Sequence, residues 1–254
     1  MLLTIDIGNT NTVFGVFDGA RLEHSWRIKT DGRSTADELA LTYRGLLGDL
    51  DVDGIAACST VPAALRELRG MLDRYFPAVP TVLVEPGVKT GVGIRMDNPK
   101  EVGTDRICNA AAAHLLVTGP VIVVDFGTST NFDVISADGA FVGGALAPGI
   151  EISVDALASR AAALRKVELV APRSPIGKNT VEALQSGIIY GVAGQVDGLV
   201  TRLRVALAPD DPESVAVIAT GGLAPLAIPY CATVSRYEPE LTLIGLRLVF
   251  ERNR

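Results

Sequence analysis

The chain has 254 residues, 48% of them hydrophobic, with 23 basic and 29 acidic side chains and a net charge of −6. That length can bury one large core or two smaller ones, and the acidic balance, without a long basic run or an aromatic-rich basic stripe, argues against nucleic acid as a partner. No apolar run approaches the roughly 18 residues of a membrane span and no basic segment precedes an apolar stretch at the start, so a cytoplasmic protein with no membrane partner is expected.

The first predicted element is a β-hairpin. Thr4-Ile5-Asp6-Ile7-Gly8-Asn9-Thr10-Asn11-Thr12 is an apolar run ended by an acid and a glycine turn, and Val13-Phe14-Gly15-Val16-Phe17 is the returning strand, closed by Asp18-Gly19. A third strand is expected over 22–28, with His24 and Trp26 on one face and His24 structural. A helix follows Ser34, with Thr35 and Asp37 near its start and Leu39, Leu46 and Leu47 at helical spacing. Ile55-Ala56-Ala57-Cys58-Ser59 reads as a central strand, Val61-Pro62 opens a helix through Leu65, Leu68 and Leu72, and 81–84 is a strand ended by Glu85-Pro86-Gly87. The order β-β-β-α-β-α-β is ribonuclease-H-like.

Asp97-Asn98-Pro99-Lys100-Glu101-Val102-Gly103-Thr104-Asp105-Arg106 is a loop by its Pro and Gly, and an alanine-rich helix continues it over 107–117. Two readings of its end stay open. Thr104 or Asp105 caps the helix, with Arg106 solvated or paired to Glu101. Alternatively, a carboxylate fixed at the helix end accepts the proton of a substrate hydroxyl while the neighbouring guanidinium grips a substrate carboxylate.

The second half echoes the first. Val123-Val124-Asp125-Phe126-Gly127-Thr128-Ser129-Thr130-Asn131 is a degenerate copy of the opening segment, and Phe132-Asp133-Val134-Ile135, closed by Asp138-Gly139, is its returning strand. Three strands from 121 through 142, a long helical region, a strand over 215–219 and a closing helix from Leu241 complete it. The predicted class is α/β, with two ribonuclease-H-like domains, 1–117 and 118–254.

Each hairpin tip has phosphate chemistry. Gly8 and Gly127 allow close backbone approach, and free N–H groups with the hydroxyls of Thr10, Thr12, Thr128 and Ser129 can donate to phosphate oxygens. A carboxylate beside such a cradle calls for a cation, so Asp6 and Asp125 read as metal or metal-water ligands. A single Asp-Xaa-Gly turn is equally a structural hairpin with an Asx-type bond. Two copies point instead to paired tips that clamp a nucleotide, as in an actin-like ATPase or kinase.

Other features leave alternatives open. Gly187, Gly191, Gly194 and Gly198 fall on one helical face, which suits close packing either against the sheet or against a subunit partner. Asn179 with Glu182 resembles a capping box, so Thr180 serves structure, substrate or both. Lys178 is no Walker lysine, since Pro172 stands where that pattern needs glycine. Thr220-Gly221-Gly222 is a strand-to-helix turn or a platform for adenosine. Cys58, Cys108 and Cys231 lack paired metal spacing and are expected as reduced, mostly buried thiols, and two histidines argue against a histidine triad or zinc site.

Taken in order, Asp6-Ile7-Gly8-Asn9-Thr10, Asn98 through Arg106, Asp125-Phe126-Gly127-Thr128, Gly143-Gly144-Ala145-Leu146-Ala147-Pro148-Gly149, Ile176-Gly177-Lys178-Asn179-Thr180, Thr220-Gly221-Gly222 and Leu241-Thr242-Leu243 resemble the type III pantothenate kinases of the actin-like superfamily. The resemblance implies two ribonuclease-H-like domains with mixed five-stranded sheets flanked by helices and a nucleotide cleft between them. It implies ATP-dependent phosphorylation of pantothenate to 4′-phosphopantothenate, the first step of coenzyme A biosynthesis, by a homodimer. Carried over by position, Asp105 is the catalytic base and Gly103, Thr104 and Arg106 complete the pantothenate motif. Asp6, Ile7, Gly8, Asn9, Thr10, Asn11, Thr12 and Val13 match the first ATP phosphate loop, Thr128 an ATP contact, and Thr180 a pantothenate contact given across the dimer. Asp125 matches the ligand of a monovalent cation, potassium or ammonium, and Mg²⁺ accompanies ATP. With two phosphate tips present, Gly221 and Gly222 become the expected adenosine site. The chain departs from many relatives at Met96, where an aromatic is common, and at Asn131, where Thr is, so a substrate contact there is lost or rebuilt. Two competitors are a non-catalytic regulatory protein of the transcription-accessory kind on the same scaffold and a kinase for another small hydroxy acid.

Overall fold

The computed structural model describes residues 1–160 and 167–254, which divide into two compact units. One comprises Met1–Val92, Asp97–Ala112 and Leu241–Arg254, the other Gly93–Met96 and Ala113–Glu240. Each is built on a five-stranded mixed sheet.

In the first unit β1 (Leu2–Ile7), β2 (Asn11–Asp18) and β3 (Arg21–Lys29) form an antiparallel meander. β4 (Gly54–Ser59) and β5 (Thr81–Leu83) join in parallel on the other side of β1, giving the order β3-β2-β1-β4-β5. A strand covered on both faces needs apolar side chains in both directions, which is why β4 reads as an unbroken run from Ile55 to Cys58. On one face Tyr43 of α1 (Ala36–Leu47) and Leu68 and Met71 of α2 (Pro62–Tyr75) meet Ile5, Phe14 and Ile55. The start of α1 is a full capping box: the Thr35 hydroxyl accepts from the Glu38 N–H, and the Glu38 carboxylate accepts from the Thr35 N–H. Pro62, with no N–H to leave unpaired, opens α2.

The opposite face carries α7 (Leu241–Asn253), whose Leu243, Leu246, Val249 and Phe250 pack on Phe17, Ala56, Cys58 and Val84. This helix was expected to close the second half, yet it packs in the first unit. Its contact with α3 (Thr104–Leu116) shows why the placement is specific: a Cβ on Gly245 would lie 2.0 Å from the Cys108 carbonyl oxygen, so only glycine lets the two helices touch there.

The second unit repeats the topology. β6 (Val121–Phe126), β7 (Ser129–Ile135) and β8 (Phe141–Pro148) are antiparallel, while β9 (Ala216–Thr220) and β10 (Arg236–Tyr237) add in parallel beside β6. The order β10-β9-β6-β7-β8 is the first sheet's order reversed in writing only. Two details differ from expectation. β8 continues past 142, because Gly144 and Leu146 pair with Asp133 and Asn131 and carry the strand through its glycines. β10, two residues long, is too short for any periodicity to announce. Val154 of α4 (Ile150–Arg160), Ile188, Val196 and Val200 of α5 (Thr180–Leu207) and Ala224 of α6 (Ala224–Ala227) cover Ile122, Val124, Phe132 and Val217. Among the described residues no helix is long and apolar enough to cross a membrane.

Candidate active site

In the first unit the site grows from the C-terminal ends of β1 and β4, where parallel strands expose a sheet's edge to ligands. The turn Gly8-Asn9-Thr10 joins β1 to β2 and is closed by the Gly8 N–H donating to Asn11 O at 3.0 Å. Asn9 and Thr10 are exposed, as a phosphate contact requires. Thr12 is not: it is 5% exposed, and its hydroxyl sits 2.9 Å from that of Thr30. Thr30 also donates its N–H to Thr10 O at 2.9 Å, so one residue at the end of β3 holds the tip twice.

Asp6, half-buried, is level with Cys58 in the β1–β4 register, and the Cys58 thiol donates to Asp6 Oδ1 at 3.3 Å. Nearby, α3 begins. The Thr104 hydroxyl donates to Ser59 O at 3.5 Å, tying the helix start to the end of β4, so Thr104 is not the cap. Asp105 Oδ1 accepts the Arg106 N–H at 2.9 Å, which satisfies one orphan donor of the first turn and so realises part of the capping reading. Glu101 bonds the Asn98 amide at 2.7 Å. A Cβ on Gly103 would lie 2.5 Å from Asp105 Oδ1, so glycine there makes room for the carboxylate.

Burial raises the Asp105 carboxyl above its ordinary range, against the opposing pull of the Arg106 N–H and guanidinium. A carboxylate held at a helix start with raised basicity is suited to proton abstraction. Cys108, one turn along α3, reaches back to the same place: its hydrogen bond, burial and the charges of Asp6, Cys108 and Asp105 push the Cys58 thiol well above its usual value. Asp6 and Cys58 are thus in contact, and the charge of Asp105 is felt at the same sulfur.

The second unit builds its tip differently. Gly127 N–H donates to Ser129 O at 3.0 Å, Thr128 is exposed, and the Ser129 hydroxyl donates to Asn131 Oδ1 at 2.9 Å. Asp125 pairs in register with Asn131 on one side and Thr220 on the other. Gly221, at φ +93, lies so close that a Cβ would stand 2.6 Å from Asp125 Oδ1. From the other side Gly149 underlies the tip, where a Cβ would meet Thr128 O at 2.2 Å. Gly222 is exposed beside them. Met96 packs its sulfur 3.6 Å from the Cβ position of Gly143. Thr180 is exposed at the first turn of α5, where Asn179 Oδ1 accepts the Glu182 N–H at 2.9 Å. The Glu182 carboxylate turns to the Lys178 N–H at 2.9 Å, one residue earlier than a capping box requires.

A family model described as type III pantothenate kinase matches residues 2–202. The chain belongs to the type III pantothenate kinases. It is 66% identical over 253 residues to the type III pantothenate kinase of Parafrankia sp. (strain EAN1pec), covering 100% of this chain and 98% of that one. It is 67% identical to the type III pantothenate kinase of Frankia casuarinae, covering 100% of both. The fold is shared with the inorganic polyphosphate/ATP-glucomannokinase of Arthrobacter sp. strain KM, at a TM-score of 0.54 and 16% identity over 100% of this chain and 99% of that one. The fold is accordingly actin-like.

Three members of this pantothenate kinase's two clusters carried no assigned role in the sequence. Gly149 stood in a quoted motif, but its closeness to the tip depends on where β8 ends. Cys58 was visible as the last apolar residue of a strand, and only the register of β4 against β1 sets it beside Asp6. Thr30 carried no signal at all.

Proposed function

We propose that this type III pantothenate kinase transfers the γ-phosphoryl group of ATP to the primary hydroxyl of pantothenate, forming 4′-phosphopantothenate for coenzyme A synthesis in the cytoplasm, with Asp105 as base. The observation that carries the reading is Asp105 itself: half-buried, raised in basicity, fixed at the start of α3 and given room by Gly103. The hydroxyl oxygen bonds to the γ-phosphorus, the bond to the bridging oxygen of ADP breaks, and the hydroxyl proton passes to the Asp105 carboxylate. In a loose transition state that proton moves late, so alignment of the hydroxyl counts alongside basicity. Gly103, Thr104 and Arg106 hold pantothenate, with Met96 a further contact. Of the first loop, Gly8, Asn9, Thr10 and Asn11 hold the phosphates with Asp6 on their cation, while Thr12 turns inward to brace the turn, and Thr128, Gly221 and Gly222 contact ATP.

Mg²⁺ keeps its waters and rides on phosphates with one or two carboxylate contacts, and Asp6 at the first tip is the proposed contact. When bound, it supplies charge neutralisation. Asp125 is the proposed ligand of potassium or ammonium.

The glycine stripe of α5 supports a homodimer. A Cβ on Gly187, Gly191 or Gly194 would meet nothing within 4 Å, so no described part of this chain packs closely on that stripe. A partner subunit is proposed to cover it and to bring Thr180 to pantothenate. The halves 1–117 and 118–254 are proposed as the units of duplication, with α7 belonging to the second by descent.

The deciding experiment incubates the protein with ATP, Mg²⁺, K⁺ and a panel of hydroxylated acids and weighs the products. Phosphorylated pantothenate alone is expected. A different acid phosphorylated in its place, or no product from any, would overturn the reading. Replacing K⁺ by Na⁺ should lower turnover in the parent and not in Asp125→Ala.

A further inference from the structure

Both sheets place a small polar side chain directly beside the acid that ends the central strand. Asp6 is level with Cys58 of β4, and Asp125 with Thr220 of β9. Side chains level in neighbouring strands point to the same face. Cys58 is 1% exposed and Thr220 3% exposed, so neither is a surface group. The residues differ, yet each carries a hydrogen that can be donated. In the first unit the donation is explicit: the Cys58 sulfur is 3.3 Å from Asp6 Oδ1.

We propose that Cys58 is a positioning residue for phosphoryl transfer, its S–H fixing the plane of the Asp6 carboxylate that meets the nucleotide and its cation. The inference rests on the reading that the first tip binds ATP. Loss of a partner that orients a ligating carboxylate typically costs about 10- to 100-fold in affinity, because the side chain is then less ordered before binding.

A thiol suits this place. Asp6 and Asp105 are both within electrostatic reach of the sulfur, and an ionised sulfur would add a third negative charge where phosphates must bind. A neutral S–H supplies a donor to the carboxylate without adding charge. Its burial makes it unreactive, which separates its role from nucleophilic or redox chemistry.

Two variants test the idea. Cys58→Ala removes the donor with a small loss of volume, and Cys58→Ser keeps one. Steady-state kinetics should show the alanine variant with a KM for Mg–ATP raised about tenfold, the low end for loss of a ligand-orienting partner, and kcat and the KM for pantothenate within about twofold. The serine variant should return the Mg–ATP KM to within about threefold of the parent. Calorimetric titration with Mg²⁺ and a non-hydrolysable ATP analogue should show the same ranking without turnover. In an Asp6→Asn background, Cys58→Ala should cost nothing further, because the group it acts through has changed. Parent-like nucleotide affinity in Cys58→Ala, or an undiminished loss in the Asp6→Asn background, overturns the proposal. So does a loss spread equally over both substrates and kcat, which marks plain structural damage. Should the parent fail to phosphorylate pantothenate, the function falls while the calorimetric comparison still decides the role of Cys58.

Discussion

The two sheets share strand order and the placement of an acid before a glycine turn, yet they secure their tips by different means. The first tip is fastened through Thr30, whose hydroxyl meets that of Thr12 and whose N–H donates to Thr10 O, and through the Cys58 thiol on Asp6. The second adds to its Ser129–Asn131 side-chain bond the close approach of backbone, with Gly149 beneath Thr128 and Gly221 against Asp125. Duplicated topology therefore preserves where the acid and its glycine turn sit, while each copy finds its own way to fasten them. Side-chain fastening tolerates substitution with a graded loss, whereas backbone contact leaves no room to yield.

The largest difference concerns the proposed base, which only the first unit supplies. Asp105→Asn should lower kcat by about 10²- to 10⁴-fold, the usual worth of a general base, with nucleotide affinity by calorimetry within about twofold. Near-parental turnover would remove Asp105 from the reaction. Gly149→Ala comes next. Its Cβ would stand 2.2 Å from Thr128 O and 2.6 Å from Gly127 O, and backbone cannot step aside, so urea unfolding should report a loss of about 3 kcal/mol. Gly8→Ala, whose Cβ would meet only Asn11 O at 3.1 Å, should cost less than about 1 kcal/mol. Equal losses at the two glycines would break the contrast between the tips.

A pH dependence follows from Asp105. Its folded-state pKa is raised from 3.8 by burial, so the stability it contributes is fully present below the unfolded value and is lost as pH rises through the folded one. At neutral pH the ionised carboxylate therefore weighs against the fold. Asp105→Asn should melt at a higher temperature than the parent at pH 7, with the gap closing as pH falls through the ordinary carboxylate range. The acid limb of kcat/KM in the parent should lie above that range as well. A gap independent of pH would show that burial of the charge is not its source.

Much of this architecture was legible because local and global signals agreed. Apolar runs ending in Asp and Gly at both Asp6 and Asp125 announced two hairpins, and the matching sheet orders followed from them. Asp105 was recognisable at a helix start from the loop that precedes it. What stayed hidden depends on three-dimensional registration. The apolar run that opens α7 says that it is buried but not against which sheet, and the glycine that seats it, Gly245, acquires meaning only beside Cys108. β8 was shortened because Gly143-Gly144 resembles a break when its partner strand is unknown. Thr12 looked like a phosphate donor by type, and its inward turn onto Thr30 depends on a contact across the meander.

The smallest expected effect isolates that last contact. Thr12 and Thr130 occupy like positions, each buried one strand after its tip, at 5% and 1% exposure. The Thr12 hydroxyl has the Thr30 hydroxyl at 2.9 Å, whereas Thr130 Oγ1 has no hydrogen-bond partner among the described residues. Removing one member of a pair strands the other, so Thr12→Val should lose about 1 kcal/mol of stability and loosen the tip, raising the KM for Mg–ATP by a few-fold. Removing a group that already lacks a partner relieves a desolvation cost, so Thr130→Val should be neutral or stabilising by up to about 1 kcal/mol, with kinetics unchanged. Thermal melts of the two valine variants decide it. If Thr130→Val destabilises as much as Thr12→Val, the Thr130 hydroxyl is paired after all, and the two tips are fastened more alike than their contacts indicate.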